Sequence, residues 1–577
     1  MPDEAHWLDD YASPRFEWRE LIGNNGKRTF YRPLGLVEAA FDADGRFHEG
    51  RADLNVQLDL NVRFTGSRRA LRERIVLAWA CLRCRHNLLQ ARATPLSEIL
   101  QEPGKRAAEV CFVVDVAADV DEAVADAEEQ LIFLEDQYEN VDPGDFWVHC
   151  QNVARVVNPA RALAKVFVHP LVMSENGKST LRLLTVGAHE ICEGLSMYAW
   201  QRDMTHHLNK SIGELHELLR SLIEPKTMRE RLPVPQEALY PPIYGSRARS
   251  RWYWLLTRLL RHVRKPLEAG FSNPLYHRFR SEPFALSPTY AAVLDYTKVP
   301  PLNTAPCFVH ISLHNTQRLH RLCREAQASI GAGCFALAAL VMMEMYEQWQ
   351  PDIPLVDRRP FISGFPVNPR PFFNHHDEPD SLMLAFCDGI ALPFLSSSLD
   401  LDGRIRLLAR QAHRQLASFQ KRKRPAQSEE EIQYMSARGA GRMLANQYIS
   451  SIERQAKMLP KHLRPTINLQ GAYPARPNMT TQTCGISSVG NRDLFIRRGM
   501  YDLEDRSKEF VADFCNIFSN VRARDGEFLI GVGGAEDGLY VNASIDASSV
   551  DMSLVEQFRW KIKHILDDRD IAERSRL

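Results

Sequence analysis

Strand and helix patterns alternate along the first half of the chain. Apolar and polar residues alternate from Leu54 to Phe64, which predicts a strand. From Arg69 to Leu89 the apolar residues recur at helical spacing. Two more strands are predicted at Lys165 to Leu171 and at Leu181 to His189, and the second is apolar on both faces, as in a central buried strand. A helix follows from about Leu195, so we expect a sheet with flanking helices.

The second half repeats this order of elements. Its most apolar run, Cys334 to Met343, is stopped by Glu344 and is too short to cross a bilayer. The predicted strands are Cys307 to Leu313, Pro360 to Val367, Phe528 to Val532 and Leu539 to Ile545, and the predicted helices are Thr316 to Ala328, Cys334 to Trp349 and Ser553 to Leu566. The pattern therefore predicts an α/β (α+β) protein of two similar halves.

The segment between the halves is rich in proline, arginine and aromatic residues, and we interpret it as a long linker. It contains an amphipathic helix, Arg251 to Lys265. One face of this helix carries Trp252, Leu255, Leu256, Leu259 and Val263, and Arg258, Arg261 and Arg264 lie elsewhere. We expect the helix to pack on its own protein, with a membrane surface or an acidic partner as the alternative. The expected domains are 1–225 and 301–577, joined by the linker 226–300.

Composition narrows the possible partners. The 577 residues include 45% apolar and 25% charged residues, the balance of a folded globular protein. Lysine plus arginine and aspartate plus glutamate number 72 each, so no basic field favours nucleic acid as a partner. The N-terminus lacks an apolar signal-peptide core. Cys81 and Cys84 form a C-x-x-C within a helical pattern, without the second pair that a zinc site would need.

His189 is the main candidate for chemistry, in the stretch Ala188-His189-Glu190-Ile191-Cys192-Glu193-Gly194. It ends a predicted buried strand, and ligands commonly bind at strand ends in α/β folds. A histidine there presents one ring nitrogen to a channel while backbone groups hold the other. We expect Glu193 to pair with an arginine and Gly194 to allow a close approach that a side chain would block. These observations alone also fit a structural histidine.

This stretch resembles the H-x-x-x-D-G motif of the chloramphenicol acetyltransferase-like superfamily of CoA-dependent acyltransferases and condensation domains. Three further segments resemble motifs of these proteins and follow in the same order: the segments begin at Arg85 (Arg-His-Asn-Leu-Leu), at Phe365 (Phe-Pro-Val-Asn-Pro-Arg) and at Ser487 (Ser-Ser-Val-Gly-Asn). The resemblance extends over residues 50 to 565. Within the superfamily, the chain is most similar to the fungal trichothecene 15-O-acetyltransferase type. Glu193 departs from the usual aspartate, and Ala188 departs from the first histidine of the condensation domains.

The resemblance implies two chloramphenicol-acetyltransferase-like α/β domains, each a mixed sheet with flanking helices, and a tunnel at their interface. His189 would be the general base that takes a proton from an acceptor hydroxyl. The other residues with implied roles are Glu193, Gly194 and Arg370, which would support the loop, and Ser487 and Ser488, which would contact the oxyanion or the substrate.

The same resemblance implies acyl-CoA as co-substrate, with no metal and no tightly bound cofactor. The partners would be this donor, or an acyl carrier protein, and a small-molecule alcohol of secondary metabolism, and the protein would be a monomer without a transmembrane segment. Two alternatives remain open: an enzyme that forms an amide or cyclises a bound metabolite in the same pocket, and a non-catalytic binding protein of this fold.

The last three residues, Ser575-Arg576-Leu577, resemble the Ser-Lys-Leu peroxisomal address, with arginine in place of lysine. A receptor reads such an address as a free C-terminal tripeptide with a small residue, a cation and an apolar end. The sequence therefore predicts a cytoplasmic or peroxisomal location.

Overall fold

The computed structural model describes most of the 577 residues. The described ranges are 11–23, 26–101, 109–173, 179–240, 242–243, 245–263, 267–283, 285–298, 303–373, 378–387, 389–419, 447–454, 459–463 and 482–567. Arg264 and the C-terminal tripeptide Ser575-Arg576-Leu577, for which the sequence makes predictions, lie outside these ranges.

The first half and the linker contain nine of the labelled strands and nine α-helices among the described residues. In chain order they are β1 (Arg19–Ile22), β2 (Arg28–Pro33), α1 (Leu36–Phe47), β3 (Leu54–Phe64), α2 (Arg68–Arg85), β4 (Arg92–Pro95), α3 (Leu96–Leu100), β5 (Val110–Asp115), α4 (Val120–Glu128), β6 (Leu131–Phe133), α5 (Pro143–Asn152), β7 (Ala164–Val168), β8 (Val172–Met173), β9 (Ser179–Gly187), α6 (Gly194–Leu208), α7 (Ile212–Ile223), α8 (Pro225–Glu230) and α9 (Arg247–Val263).

The second half continues with the remaining labelled elements. They are β10 (Thr304–Ser312), α10 (Leu313–Glu325), α11 (Ile330–Trp349), β11 (Phe361–Gly364), β12 (Pro366–Val367), β13 (Ala385–Phe386), β14 (Ile390–Leu392), α12 (Leu401–Leu416), β15 (Cys484–Asn491), β16 (Phe510–Val521), β17 (Phe528–Ala535), β18 (Gly538–Asp546) and α13 (Met552–His564). Residues 447–454 are also helical.

Two large mixed sheets organise the molecule. The first has the strand order β16-β3-β9-β7-β6, with β8 also paired to β9, and the second has the order β10-β18-β17-β15-β11-β14. The first half also contains a small sheet with the strand order β1-β2-β5-β4. Each large sheet is covered by helices over its own apolar core, in which α2 and α6 contribute to the first core and α11 and α12 to the second. The mixed α/β architecture predicted from the sequence is confirmed.

One strand crosses from the second half into the sheet of the first. β16 pairs antiparallel with β3 along nearly its whole length, from Phe510 opposite Phe64 to Val521 opposite Leu54. The chain then returns to the second sheet as the hairpin β17–β18. Because β3 lies between β16 and β9, residues more than 400 positions apart complete one sheet. The two halves are therefore joined by backbone hydrogen bonds as well as by side-chain packing.

The helix α11 is the one helix of the described residues that is long and apolar enough to cross a membrane. In this structure 72% of its apolar stretch is buried. It lies at the centre of the second core, where its side chains pack with those of α12 and with strands of the second sheet. The near-uniform apolarity that distinguishes α11 in the sequence is what a helix enclosed by a protein core requires.

The linker helix α9 packs on the protein through the face opposite to its apolar stripe. Trp254, Thr257 and Arg261 are buried, whereas the stripe that begins at Trp252 and Leu255 is exposed. The expectation that the helix packs on its own protein holds, but the face that makes the contact is not the apolar one. An ion pair of 2.6 Å between Arg261 and Glu453 anchors the packed side.

Candidate active site

A cavity of about 720 Å³ lies between the two large sheets. Its size suits a small organic molecule together with part of a second one. Both halves of the chain provide its wall, which is predominantly apolar. Among the lining residues are Phe41, His189, Glu193 and Gly194 from the first half and Met383, Phe386, Arg454, Ser487, Ser488, Val489, Arg492 and Arg524 from the second. Five of the six site residues predicted from the sequence therefore line the cavity. The sixth, Arg370, does not line it but contacts Glu193, which does.

His189 enters the cavity from the turn that joins β9 to α6. The strand is buried along its second half, and Ala188 is still held by a backbone hydrogen bond from its N–H to the Leu163 carbonyl (2.8 Å). The Ile191 N–H then donates to the Ala188 carbonyl (3.1 Å), which reverses the chain. This tight turn fixes the position of His189 between two buried elements.

The His189 ring stacks on the ring of Phe41 from α1. The ring centroids are 3.8 Å apart and the planes differ by 18°. Nδ1 of His189 is buried and makes no hydrogen bond of ordinary geometry to the described residues. The residue as a whole remains partly accessible, so Nε2 is the nitrogen left to meet a molecule in the cavity.

The surroundings of His189 keep its imidazole neutral. Burial and, to a smaller extent, the nearby Arg524 guanidinium lower the pKa of His189 to about 4. The backbone groups of His189 and Cys192 and the carboxylate of Asp44 act in the opposite direction without reversing the shift. At neutral pH the ring is therefore an unprotonated base.

Arg524 is itself held by two carboxylates. Its Nε donates to Asp44 at 2.8 Å, and its Nη1 lies 3.5 Å from Glu527. Burial by itself would raise the pKa of Asp44, but Arg524 and Arg51 outweigh it and hold that pKa below its usual value. The Arg524 guanidinium also lies 5.4 Å from the Phe41 ring centroid. A fixed positive charge thus stands near the histidine.

Glu193 caps α6 and pairs with the second half of the chain. One carboxylate oxygen accepts the Leu195 N–H at 2.7 Å, and the other lies 2.7 Å from Nη1 of Arg370. Ser196 completes the cap, because its hydroxyl accepts the Glu193 N–H at 2.8 Å. Arg370 also donates to the Ser381 carbonyl at 2.5 Å. The longer side chain of glutamate therefore serves both contacts at once.

Gly194 allows α6 to begin against β15. A Cβ atom at this position would lie 2.9 Å from Cγ1 of Val489. On the same strand, Ser487 and Ser488 both line the cavity, and the Ser488 hydroxyl accepts the Gly490 N–H at 3.3 Å. A bulge between Ser488 and Gly490 interrupts the parallel pairing of β15 with β17. It brings successive residues of this strand to the cavity wall.

A charged cluster lies beneath the turn and was not foreseen from the sequence. Arg155 forms two bonds to Asp53 (2.7 and 2.9 Å) and lies 3.5 Å from the fully buried Glu190. Burial, with the charge of Asp42, raises the pKa of Glu190. Phe41, Asp44 and Arg524 were also missed. Each is far from His189 in sequence, and no local motif marks it.

The fold matches solved structures more clearly than the sequence matches known proteins. No protein-family model and no curated protein matches the sequence. The structure of TRI3 trichothecene 15-O-acetyltransferase from Fusarium sporotrichioides aligns with a TM-score of 0.60 at 12% identity, over 96% of this chain and 97% of that chain. The chain has the chloramphenicol-acetyltransferase-like fold. The resemblance seen in its motifs is confirmed at the level of fold.

Two further structures align at lower scores. They are Fusarium graminearum TRI101 complexed with ethyl coenzyme A (TM-score 0.49, 9% identity, 92% of this chain and 97% of that chain) and the condensation domain of the monacolin K polyketide synthase MokA (TM-score 0.49, 10% identity, 93% and 97%).

Proposed function

We propose that the protein transfers an acyl group from a CoA thioester to a hydroxyl group of a small molecule, with His189 as the general base. The observation that carries the proposal is a neutral histidine whose one available nitrogen faces a cavity that can hold a small organic molecule and part of a second one. The fold it shares with a 15-O-acetyltransferase supports the same reaction class.

The proposed reaction moves one proton in each direction. Nε2 of His189 takes the proton of the acceptor hydroxyl while the hydroxyl oxygen attacks the carbonyl carbon of the thioester. The tetrahedral oxyanion then collapses, the carbon–sulfur bond breaks, and the imidazolium returns the proton to the departing thiolate. The products are an ester and free CoA. Because Arg524 and burial disfavour the imidazolium, the histidine is a weak base but gives its proton back readily.

Other residues have supporting roles in this proposal. The oxyanion needs a hydrogen-bond donor, and in this proposal Ser487 or Ser488, which line the cavity, or a backbone N–H of β15 supplies it. Arg454 gives the wall a further cation. Its guanidinium lies 3.5 Å from the Phe386 ring centroid, and burial lowers its pKa to about 10. A half-buried cation of this kind favours an anionic group on one of the two substrates.

The test is release of CoA thiol from acetyl-CoA and longer acyl-CoAs in the presence of a panel of alcohols and amines. His189→Ala should keep its fold and lose transfer by about 10²- to 10⁴-fold, the usual worth of general-base catalysis. His320→Ala, an exposed histidine on α10, is the matched control and should retain full activity. Near-full turnover by His189→Ala would remove this residue from the mechanism. An amide product in place of an ester would favour the condensation-type alternative.

A further inference from the structure

The helix α9 turns its apolar side to the solvent. Trp252 is 60% exposed, Leu255 55%, Leu259 52% and Val263 63%. These four positions follow one another at intervals of three or four residues, and together with Leu256 they form one stripe along the helix. An ordinary surface helix buries such a stripe against the core. The orientation of α9 is the reverse, and no side chain of the described residues covers the exposed stripe.

Buried contacts fix this orientation on the other side of the helix. Trp254 packs edge-on against Tyr11, with ring centroids 5.0 Å apart, and is nearly inaccessible. Arg261 donates to the Ser450 hydroxyl at 3.1 Å and forms its ion pair with Glu453. Rolling the helix to bury the leucines would break these contacts and would bury the leucines at the cost of the ion pair to the half-buried Glu453. The outward stripe is therefore specified by the packing.

The charges around the stripe indicate what covers it. Residues 247–265 contain no aspartate or glutamate, and Arg247 and Arg251 are exposed in the first turns. A stripe of tryptophan and leucine with arginines beside it is typical of helices that lie in the interface of a bilayer with anionic lipids. A second copy of the chain suits this surface less well, because a two-fold contact would bring the arginines of α9 close to one another.

We infer that α9 docks the protein onto an anionic lipid surface, with its apolar stripe among the acyl chains and its arginines at the headgroups. The inference is independent of the proposed acyl transfer. Docking would also bring the cavity close to the lipid, because Trp254 belongs to the same apolar cluster as Met383, which lines the cavity.

The test is co-sedimentation of the full chain with vesicles of phosphatidylcholine alone and with added phosphatidylserine. The protein should bind the anionic vesicles more tightly, and added salt should weaken that binding. Leu255→Gln with Leu259→Gln should lower the partition coefficient by about tenfold or more, because two buried leucines are lost from the lipid. Arg247→Gln with Arg251→Gln should weaken binding to anionic vesicles only and reduce its dependence on salt.

Matched controls use the same changes on other exposed surfaces. Leu355→Gln with Val356→Gln removes two exposed apolar side chains, and Arg359→Gln with Arg497→Gln removes two exposed cations. Both control pairs should bind vesicles as the unchanged protein does. No binding to anionic vesicles, or equal binding by the leucine pair and its control, would overturn the inference. So would a dimer in light scattering that the leucine pair dissociates, since the stripe would then be covered by a second copy.

Discussion

Glu193 and Arg370 form an ion pair of 2.7 Å that joins the two halves of the chain beside the cavity. Both side chains are buried, and the carboxylate also caps the helix that follows His189. The pair therefore couples the position of the histidine turn to the second half of the molecule. A buried pair of this kind is costly to break, because the partner left behind has lost both its solvent and its counter-charge.

The first prediction concerns this pair. Glu193→Gln should lower the free energy of unfolding by about 3–5 kcal/mol and reduce turnover along with it. Arg370→Gln should cost at least as much, because the hydrogen bond to the Ser381 carbonyl is also lost. The double variant should be less destabilised than the sum of the two single changes. Denaturant unfolding of all four proteins measures this coupling, and additive effects would argue against the pair.

A second prediction concerns the charge near His189. Arg524→Gln should raise the pKa of His189, and Asp44→Asn should lower it, because the two charges act on the imidazole in opposite directions. In each variant the remaining partner keeps a counter-charge, since Asp44 still meets Arg51 and Arg524 still meets Glu527. The acid limb of kcat/KM against pH should therefore move towards neutral pH in Arg524→Gln and away from it in Asp44→Asn. Shifts of the same sign would contradict this electrostatic account.

The third prediction tests the close approach at Gly194. Gly194→Ala should destabilise the protein by about 1–3 kcal/mol, because the new methyl group overpacks against Val489. Val489→Ala in the same chain should restore most of that loss by making room. Melting temperatures of the two variants decide the matter. An unchanged melting temperature in Gly194→Ala would mean that β15 can move away from the new methyl group without a loss of stability.

The fourth prediction is a loss of stability in mild acid. Burial, with the charge of Arg182, lowers the pKa of His169 to about 4 from an ordinary value of 6.5. Between these two values the unfolded chain binds the proton and the folded protein does not, so stability falls as the pH falls, by about 1.4 kcal/mol per pH unit. His169→Phe should remove this contribution and make the slope of stability against pH less steep, while His189, whose pKa is lowered in the same way, keeps its own contribution.

His169→Phe should also be tolerated at neutral pH, because neither ring nitrogen of His169 has a hydrogen-bond partner among the described residues. His320→Gln, at an exposed position, serves as the control for replacing a histidine elsewhere in the chain. Unfolding free energies measured from neutral pH down to about pH 4.5 supply the comparison. An equal slope in all three proteins would show that His169 does not contribute.

Much of the fold could be predicted from local sequence pattern. The alternation from Leu54 to Phe64 gave the bounds of β3, and the apolar pattern from Cys334 to Trp349 predicted most of the helix α11. The strand β16 was not predicted. Its partner β3 lies far away in sequence, and the local pattern of neither segment indicates that the two pair. The stripe of α9 was identified, but periodicity shows only which residues share a face and not which face the protein covers.

The site divides in the same way. His189, Glu193 and Gly194 could be found because they belong to one short motif at the end of a strand. Phe41, Asp44 and Arg524 could not, because they reach the histidine only through tertiary packing of α1 and of the segment after β16. The pKa of His189 depends on burial and on Arg524, so its protonation state was equally invisible in the sequence.

The crossing of β16 also has a consequence for how the chain is made. During synthesis β3 emerges from the ribosome early, but its outer neighbour follows only after residue 521. Until then the first sheet presents an open edge whose backbone donors and acceptors can pair with another nascent chain. A first half that folds before β16 is made would therefore be prone to aggregation, and we expect the yield in a cell to depend on chaperones that shield this edge.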